Sequence, residues 1–207
     1  LIIKGTSVVA LCHGFYDYLK TAMQGMVTWS GRNIQIVNPW KYVTSKRVVS
    51  PYRYHYYMNV VTHGYSTPYW GWDRWQQELD WMALHGMDML MLNSAYEAIM
   101  FRVFRKIGLP EIEIRKFFTG PAFQPWNRMG NVADWDGPPP VSWYARQIAL
   151  THQVITRMKM MGITPIIQSF AGFVPKGITT IDPSAKVTSL FWNSHFPEQN
   201  QCYILLP

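Results

Sequence analysis

The order of helices and apolar segments is the feature that most constrains how this chain can fold. Two amphipathic helices end in glycine and run directly into an apolar segment, at "ALHG" followed by "MDMLML" (83–92) and at "KMMG" followed by "ITPIIQ" (159–168). Glycine just after a helix adopts the left-handed conformation that ends it. A third apolar segment, "YYMNVVT" (56–62), precedes both. Because strands that alternate with helices favour βαβ units, the sequence predicts a parallel sheet, either the first part of a (β/α)8 barrel or a small open sheet.

Helices are predicted wherever apolar residues recur at a spacing of three or four. In the body of the chain they cover residues 72–86, 95–108, 109–118 and 142–162. Their alternation with the apolar segments supports the same βαβ interpretation.

Residues 1–50 are predicted to form a small α/β domain of their own. "LIIKG" (1–5) favours a strand, and apolar residues at helical spacing favour a helix over 8–22. "MVTWS" and "NIQIV" (26–37) then read as two strands around a Gly-Arg break, which is typical of a hairpin. A polar, proline-bounded stretch links this domain to the second domain, residues 51–207.

Composition and spacing exclude several classes of function. The net charge is +7, yet the cations are scattered without a dense run, so nucleic acid is not an expected partner. No apolar run approaches the length of a membrane span, so no membrane is expected as a partner. The two cysteines, Cys12 and Cys202, do not make a disulfide framework. The histidines lack zinc-ligand spacing and no phosphate-binding glycine loop occurs, so we expect neither metal nor cofactor.

Polar and aromatic residues follow each predicted strand. The segments are "NVVTHGYS" (59–66), "LNSAYE" (92–97) and "SFAGFVP" (169–175). In parallel architectures the working groups lie at the carboxyl ends of the strands, so we expect a site in these segments. Amides, hydroxyls and flat rings together suit a neutral polyhydroxylated ligand, because rings stack on the apolar faces of a sugar while polar groups bond its hydroxyls.

The segment "GPAFQPWNRMGN" (120–131) is predicted to be part of a long loop, since its glycines and prolines fit neither helix nor strand. Long loops in compact domains are usually lids, binding loops or disordered segments. Disordered segments are poor in aromatic residues, whereas this region carries Phe123, Trp126 and Trp135. The sequence therefore predicts a binding loop.

Carboxylates limit what such a site can catalyse. Glycoside hydrolysis normally needs two, about 5–5.5 Å apart for retention and farther apart for inversion. Glu97 follows a strand, but it can equally start the next helix, where a carboxylate suits the helix dipole. No second carboxylate pairs with it in the pattern, and neither Glu78 nor Glu198 is assigned a catalytic role. The residues predict a sugar pocket without its catalytic acids.

Five stretches carry a resemblance to a known family: "RYHYYMNVVTHGYS", "RWQQELDWMALHGMD", "FFTGPAFQPWNRMGN", "WDGPPPVSW" and "GITPIIQSFAGFVP". The chain resembles the lysosomal α-N-acetylglucosaminidase family, glycoside hydrolase family 89. The resemblance implies an α/β fold, with a small N-terminal α/β domain followed by the first part of a (β/α)8 TIM barrel. It also implies a retaining exo-glycosidase that removes terminal, non-reducing α-linked N-acetylglucosamine, as in heparan sulfate degradation.

The resemblance carries over to single positions. Asn59 and Tyr65 in the first strand-end segment, and Trp126 in the loop, match substrate-binding positions of the family. The family's two catalytic glutamates lie on later strands, so no residue here is assigned as catalytic and the chain is expected to be an inactive N-terminal fragment. The expected partner is a glycan with terminal N-acetylglucosamine, the expected location is the lysosome, and a homo-oligomer of the full-length protein stays open.

The chain also departs from the family pattern. Val61 replaces a cysteine, Gly71 an aspartate and Phe173 a histidine, and residues 95–97 read Ala-Tyr-Glu where the family has a Gly-Gln-Glu-like turn. Val61 and residues 95–97 lie at the first two strand ends. A second hypothesis therefore stands beside the enzyme, namely a non-catalytic or degenerate carbohydrate-binding homologue.

Overall fold

The computed structural model describes residues 1–35, 38–192 and 194–207, which divide into two compact units. The first unit comprises residues 1–57, 70–91 and 153–166. The second comprises residues 58–69, 92–152 and 167–207.

The helices and strands follow one another along the chain. The helices are α1 Val8–Thr21, α2 Thr62–Tyr65, α3 Trp72–Leu84, α4 Tyr96–Lys106, α5 Glu111–Phe117, α6 Gln124–Arg128, α7 Val141–Met161 and α8 Ile178–Ile181. The strands are β1 Met26–Val27, β2 Arg32–Asn33, β3 Tyr56–Tyr57, β4 Met89–Met91, β5 Thr164–Ile166, β6 Phe173–Val174, β7 Val187–Leu190 and β8 Cys202–Leu205. Two 3-10 turns cover Pro121–Phe123 and Glu198–Asn200.

Helix α1 organises the amino-terminal part of the first unit. It begins where the Ser7 hydroxyl accepts a hydrogen bond from the Ala10 amide at 3.1 Å, which satisfies one of the free N–H groups of the first turn. Its apolar face packs against α3. The buried cluster around it is Tyr16, Tyr18, Leu19, Met23 and Val27, with Phe15, Ala22, Trp81 and Leu84 at its margin. The helix predicted from residue 8 is confirmed.

Two strand predictions in this region do not hold in full. The prediction of a strand over residues 1–5 is wrong, because the backbone there has no strand partner among the described residues, and Leu1 and Ile2 are exposed. The hairpin forms with Met26 opposite Asn33, but each strand is only two residues long. The end of the predicted second strand, residues 36 and 37, lies outside the described residues.

The predicted parallel sheet is present in the first unit. Strands β3, β4 and β5 pair in that order, with Tyr57 opposite Leu90 and Leu90 opposite Pro165. Gly86 and Gly162 follow α3 and α7 in the left-handed region, at φ +77° and +74°, as their place after the helices predicts. Sequential strands therefore pair side by side, as in a (β/α)8 barrel.

The strands are shorter than the apolar runs suggest. The prediction of a strand over residues 56–62 fails after Tyr57, because Met58 adopts a φ of +65°. An L-residue in that region leaves the extended conformation, so the ladder cannot continue. The chain turns at once and enters α2.

The second unit has its own apolar core. Its buried members are Tyr96, Ala98, Met100, Phe104, Leu109, Ile114, Phe117, Phe118, Tyr144, Val174 and Ile178. They come from α4, α5, α7, β6 and α8 and from the segments beside them. An antiparallel sheet in the order β6-β8-β7 adds Val187, Tyr203 and Leu205 at the margin of this core. No sequence prediction had placed strands there.

The prediction that 120–131 is a structureless loop is wrong. Pro121 opens the 3-10 turn and Pro125 lies in the first turn of α6, where the missing N–H of proline costs no hydrogen bond. The segment then closes through Gly130, at φ +76°, and through a 2.8 Å hydrogen bond from the Asn131 amide to the Trp126 carbonyl. Prolines and glycines here begin and end short helices instead of excluding them.

Two further findings concern the described part of the chain. None of its helices is long and apolar enough to cross a membrane. It contains no group of three or more histidine, cysteine, aspartate or glutamate side chains placed to hold a metal ion. The domain boundary after residue 50 stays a prediction.

Candidate functional site

Tyr65 and Trp126 are brought together in the second unit. Tyr65 ends α2 and is 76% exposed, while Trp126 lies in the middle of α6 and is half-buried. Their rings meet edge to face, with centroids 5.4 Å apart and an interplanar angle of 82°. The pair thus combines a partly exposed indole with an exposed tyrosine, which can offer a ligand apolar and polar contacts together.

Gly64 allows the indole to come this close to α2. A Cβ built on Gly64 would lie 2.6 Å from Cζ3 of Trp126 and 2.8 Å from the carbonyl oxygen of Ala122. No side chain fits at that distance. The glycine of the sequence segment "THGY" is therefore a packing requirement of the aromatic pair.

Asn59 has a different environment from the two rings. Its Oδ1 atom accepts hydrogen bonds from the amide and the hydroxyl of Thr62, each at 3.0 Å. This arrangement starts the turn that leads into α2. Asn59 is exposed and is held by Thr62 rather than by Tyr65 or Trp126.

The aromatic surface extends beyond the predicted residues. Phe123 lies 6.2 Å from Trp126 and 6.4 Å from Trp135, centroid to centroid. Trp135 meets Phe196 edge to face at 4.9 Å, and Phe196 stacks on Trp192 at 5.1 Å. Sequence reasoning missed Trp192 and Phe196, because the segment that carries them has no helical or strand pattern that would bring the two rings together.

Phe173, one of the departures from the family pattern, packs against the end of the Trp126 segment. A Cβ on Gly130 would lie 2.2 Å from Cε1 of Phe173. Together with its φ of +76°, this contact leaves glycine as the residue that fits at position 130.

Beneath Trp126 lies a buried ion pair. Arg128 Nε donates to Glu97 Oε1 at 2.7 Å and Nη2 donates to Oε2 at 2.8 Å. The two residues are 3% and 2% exposed. Both carboxylate oxygens of Glu97 are thus engaged by one guanidinium, in the bidentate geometry that arginine favours.

The other buried glutamate, Glu78, belongs to the first unit. Its carboxylate accepts hydrogen bonds from the Trp29 indole at 2.7 and 2.8 Å and from the Tyr57 hydroxyl at 2.6 Å, and it pairs with Arg74 at 2.7 Å. Burial and the neighbouring Glu78 carboxylate raise the pKa of Tyr57. Glu78 therefore joins the hairpin, β3 and α3 within that unit.

Asn93 is a polar residue that sequence reasoning did not single out. It follows β4 by two residues, as Asn59 follows β3 and Gln168 follows β5. It is buried, and neither polar atom of its amide has a hydrogen-bond partner in the described part of the chain. Each described parallel strand is thus followed at the same interval by an amide side chain.

The parallel sheet, with an amide side chain after each of its strands, is that of the first part of a (β/α)8 barrel, a fold in which working groups lie at the carboxyl ends of the strands. Residues 55–207 match the family model described as the α-N-acetylglucosaminidase (NAGLU) TIM-barrel domain, and residues 1–40 match the N-terminal domain of the same enzyme. The chain belongs to the α-N-acetylglucosaminidase family of glycosidases. The predicted fold class and family are confirmed.

Known relatives cover nearly all of this chain. It is 41% identical over 205 residues to human α-N-acetylglucosaminidase, which is 99% of this chain and 28% of that protein. It also matches the family 89 glycoside hydrolase from Clostridium perfringens with a TM-score of 0.90 and 27% identity, over 98% of this chain and 23% of that one. That enzyme is known in complex with PUGNAc and, as a variant, with its substrate GlcNAc-α-1,4-galactose. The chain thus spans less than a third of the length of these relatives.

Proposed function

We propose that the protein containing this chain is a retaining exo-glycosidase that hydrolyses terminal, non-reducing α-linked N-acetylglucosamine. Membership of the family supports the glycosidase chemistry. The observation that carries the proposal at the level of this chain is the Tyr65–Trp126 pair, whose rings meet edge to face with centroids 5.4 Å apart. An amino sugar offers an apolar ring face and an acetamido methyl group to such a surface.

In this proposal three residues contact the sugar. Trp126 presents its indole as a wall of the pocket, Tyr65 borders it, and Asn59 contributes an amide from the strand end. Their mixture of apolar area and polar atoms supports a neutral sugar ring as the bound group.

The catalytic acids are proposed to lie outside this chain. Hydrolysis with retention needs a nucleophile and a general acid about 5–5.5 Å apart. The two buried glutamates, Glu78 and Glu97, each have their carboxylate engaged by an arginine, which supports a structural role for both. We therefore propose that the 207-residue chain by itself has no glycosidase activity.

The physiological substrate is proposed to be heparan sulfate, and the site of action the lysosome. The family resemblance of the chain supports both parts of this proposal. Residues 1–50 are proposed to form the N-terminal domain.

The test is a comparison of three aryl glycosides with the full-length protein: the α-N-acetylglucosaminide, its β anomer and the α-glucoside. We expect hydrolysis of the first alone, with the α anomer as the first product seen by proton NMR. Equal rates of hydrolysis on the α-glucoside would mean that the protein does not recognise the acetamido group. A protein that binds the α-N-acetylglucosaminide without cleaving it would support the second hypothesis, a non-catalytic or degenerate homologue.

A further inference from the structure

We propose that Glu97 is a positioning residue that acts through Arg128 to hold Trp126 against the sugar. The proposal rests on the proposed contact between Trp126 and N-acetylglucosamine. It gives a function to the buried Glu97 carboxylate, to which no catalytic role is assigned.

Helix α6 cannot orient Trp126 by its own stability. It contains five residues, Gln124–Arg128, and isolated helices of that length do not persist in water. Contacts with the surroundings must therefore fix its direction.

These contacts come from one face of the helix. At 100° per residue, Gln124, Asn127 and Arg128 share a face, and Trp126 points to the opposite side. The burial agrees with this geometry, since the three anchoring residues are buried and Trp126 is half-buried. Fixing that face of α6 consequently fixes the direction in which the indole points.

The Glu97–Arg128 pair is the strongest of the anchors. Two parallel hydrogen bonds of 2.7 and 2.8 Å fix the plane of the guanidinium as well as its distance. Glu97 lies in the first turn of α4, a few residues after β4. Because both groups are buried, loss of the carboxylate would leave the arginine charge without a partner, and the end of α6 would have to move.

Weaker hydrogen bonds complete the attachment. Arg128 Nη2 also donates to Gln124 Oε1 at 3.2 Å, and the Arg128 carbonyl accepts from Gln168 Nε2 at 3.2 Å. Asn127 Nδ2 donates to the carbonyls of Phe117, at 2.7 Å, and Val132, at 3.1 Å. Residues that follow two different parallel strands, Glu97 after β4 and Gln168 after β5, thus hold the helix through Arg128.

On the other side of the helix, Gly64 and Tyr65 leave the indole little freedom. The 2.6 Å between a Cβ on Gly64 and Cζ3 of Trp126 means that the ring already lies against the α2 backbone. The Tyr65 ring meets the indole edge to face as well. The indole has no room to change its side-chain conformation and compensate for a rotation of α6. Such a rotation would therefore move Trp126 away from its present position.

The experiment is a double-mutant cycle in the full-length protein, assayed on an aryl α-N-acetylglucosaminide. The variants are Trp126→Ala, Glu97→Gln and their combination, with Gln168→Met as a milder change that removes one hydrogen bond to Arg128. Glu78→Gln is the matched control, since it removes a buried, arginine-paired carboxylate in the other unit. KM, kcat and melting temperature are measured for each variant.

We expect Glu97→Gln to raise KM by about tenfold, the scale of one lost pocket contact, and kcat to change less. Gln168→Met should raise KM in the same direction by a smaller factor. In the Trp126→Ala background neither change should raise KM further, because the group that they position is gone. Glu78→Gln should lower the melting temperature and leave KM unchanged.

The outcomes separate the two proposals. If Trp126→Ala leaves KM unchanged, the sugar contact is wrong and the positioning role falls with it. Suppose that Trp126→Ala raises KM. The positioning role alone is overturned if Glu97→Gln leaves KM unchanged, or if Glu97→Gln raises KM by the same factor in the Trp126→Ala background as in the unsubstituted protein. If Glu97→Gln does not fold, Gln168→Met decides by the same comparison.

Discussion

Among single residues, the packing of Trp126 decides whether its ring can contact a sugar. Its indole meets Tyr65 edge to face and lies against Gly64, while its helix is held from the opposite face through Arg128. Trp126 keeps part of its surface exposed, which leaves ring area free to contact a ligand. Both features favour a binding role for this ring.

Replacing Trp126 with alanine in the full-length protein should weaken binding of N-acetylglucosamine by about 1–3 kcal/mol, because an apolar contact in a pocket is lost. The melting temperature should change little. Trp40→Ala is a matched control, since Trp40 is also part-exposed but stacks on Tyr18 within the first unit at 5.7 Å. Titration calorimetry and thermal unfolding measure the two quantities. If Trp126→Ala greatly lowers the melting temperature but leaves sugar binding normal, Trp126 has a structural role and does not contact the sugar.

Gly64→Ala should damage the same site from the side of α2. The new methyl group would lie 2.6 Å from Trp126 Cζ3 and 2.8 Å from a backbone carbonyl, so the ring or the helix must shift. We expect a loss of about 1–3 kcal/mol in stability from overpacking, together with weaker sugar binding. Gly31→Ala is the control, because nothing lies within 4 Å of its Cβ position. Equal effects of the two substitutions would contradict the packing described for Gly64.

At the scale of elements, the antiparallel sheet β6-β8-β7 closes one side of the second unit's core. Strand β8 is its central strand, with Thr188 and Phe173 both opposite Ile204. Its first residue, Cys202, is buried without exposure. The cysteine is therefore a natural reporter of whether β8 is paired.

Cys202 should resist alkylation in the native protein. Burial raises the pKa of its thiol from 9.0 to about 12, so the reactive thiolate is scarce and also inaccessible. Between pH 9 and 12 the Cys202 thiol keeps its proton in the folded state, whereas the unfolded chain loses it. The contribution of Cys202 to the free energy of unfolding is therefore complete below pH 9 and is lost as the pH rises toward 12.

Peptide mass spectrometry after iodoacetamide treatment at pH 8 measures this protection. The part-exposed Cys12 is the internal comparison and should be labelled faster, although burial raises its pKa as well. In denaturant the two cysteines should react alike. Native-state labelling of Cys202 at the rate of Cys12 would mean that β8 is not paired as described.

Sequence patterns predicted the elements whose signals are local. The periodicity and terminal glycines of α3 and α7 located these helices, and the apolar run at Met89–Met91 located a strand. The α6 helix was missed because Pro125 and Gly130 break longer helices, while they suit the start and end of a short one. The Glu97–Arg128 pair was out of reach for a different reason: it joins residues 31 apart in the chain, and no local pattern encodes that contact.

In the molecule as a whole, the described residues form three strands of the parallel sheet. The described part of β3 and of β5 each pairs on one side, which leaves two sheet edges unpaired in the isolated chain. Large apolar side chains are exposed as well: Ile167, Phe170, Phe191 and Trp192. Unpaired edges and apolar surface both favour association.

The isolated 207-residue chain is therefore expected to be poorly soluble or to self-associate. Light scattering with size-exclusion chromatography measures its state, and thermal unfolding measures its cooperativity. The full-length protein, examined in the same buffer, is the control and should be better behaved. A monodisperse monomer of the isolated chain with one sharp unfolding transition would show that three strands suffice.

The most direct test of the account compares glycosidase activity of the full-length protein and of the 207-residue chain on an aryl α-N-acetylglucosaminide. We expect turnover by the full-length protein and none by the chain, because its two buried glutamates are each paired with an arginine, Glu78 with Arg74 and Glu97 with Arg128. Turnover by the isolated chain that disappears in Glu97→Gln would contradict the account, since a carboxylate assigned here to positioning would then be catalytic.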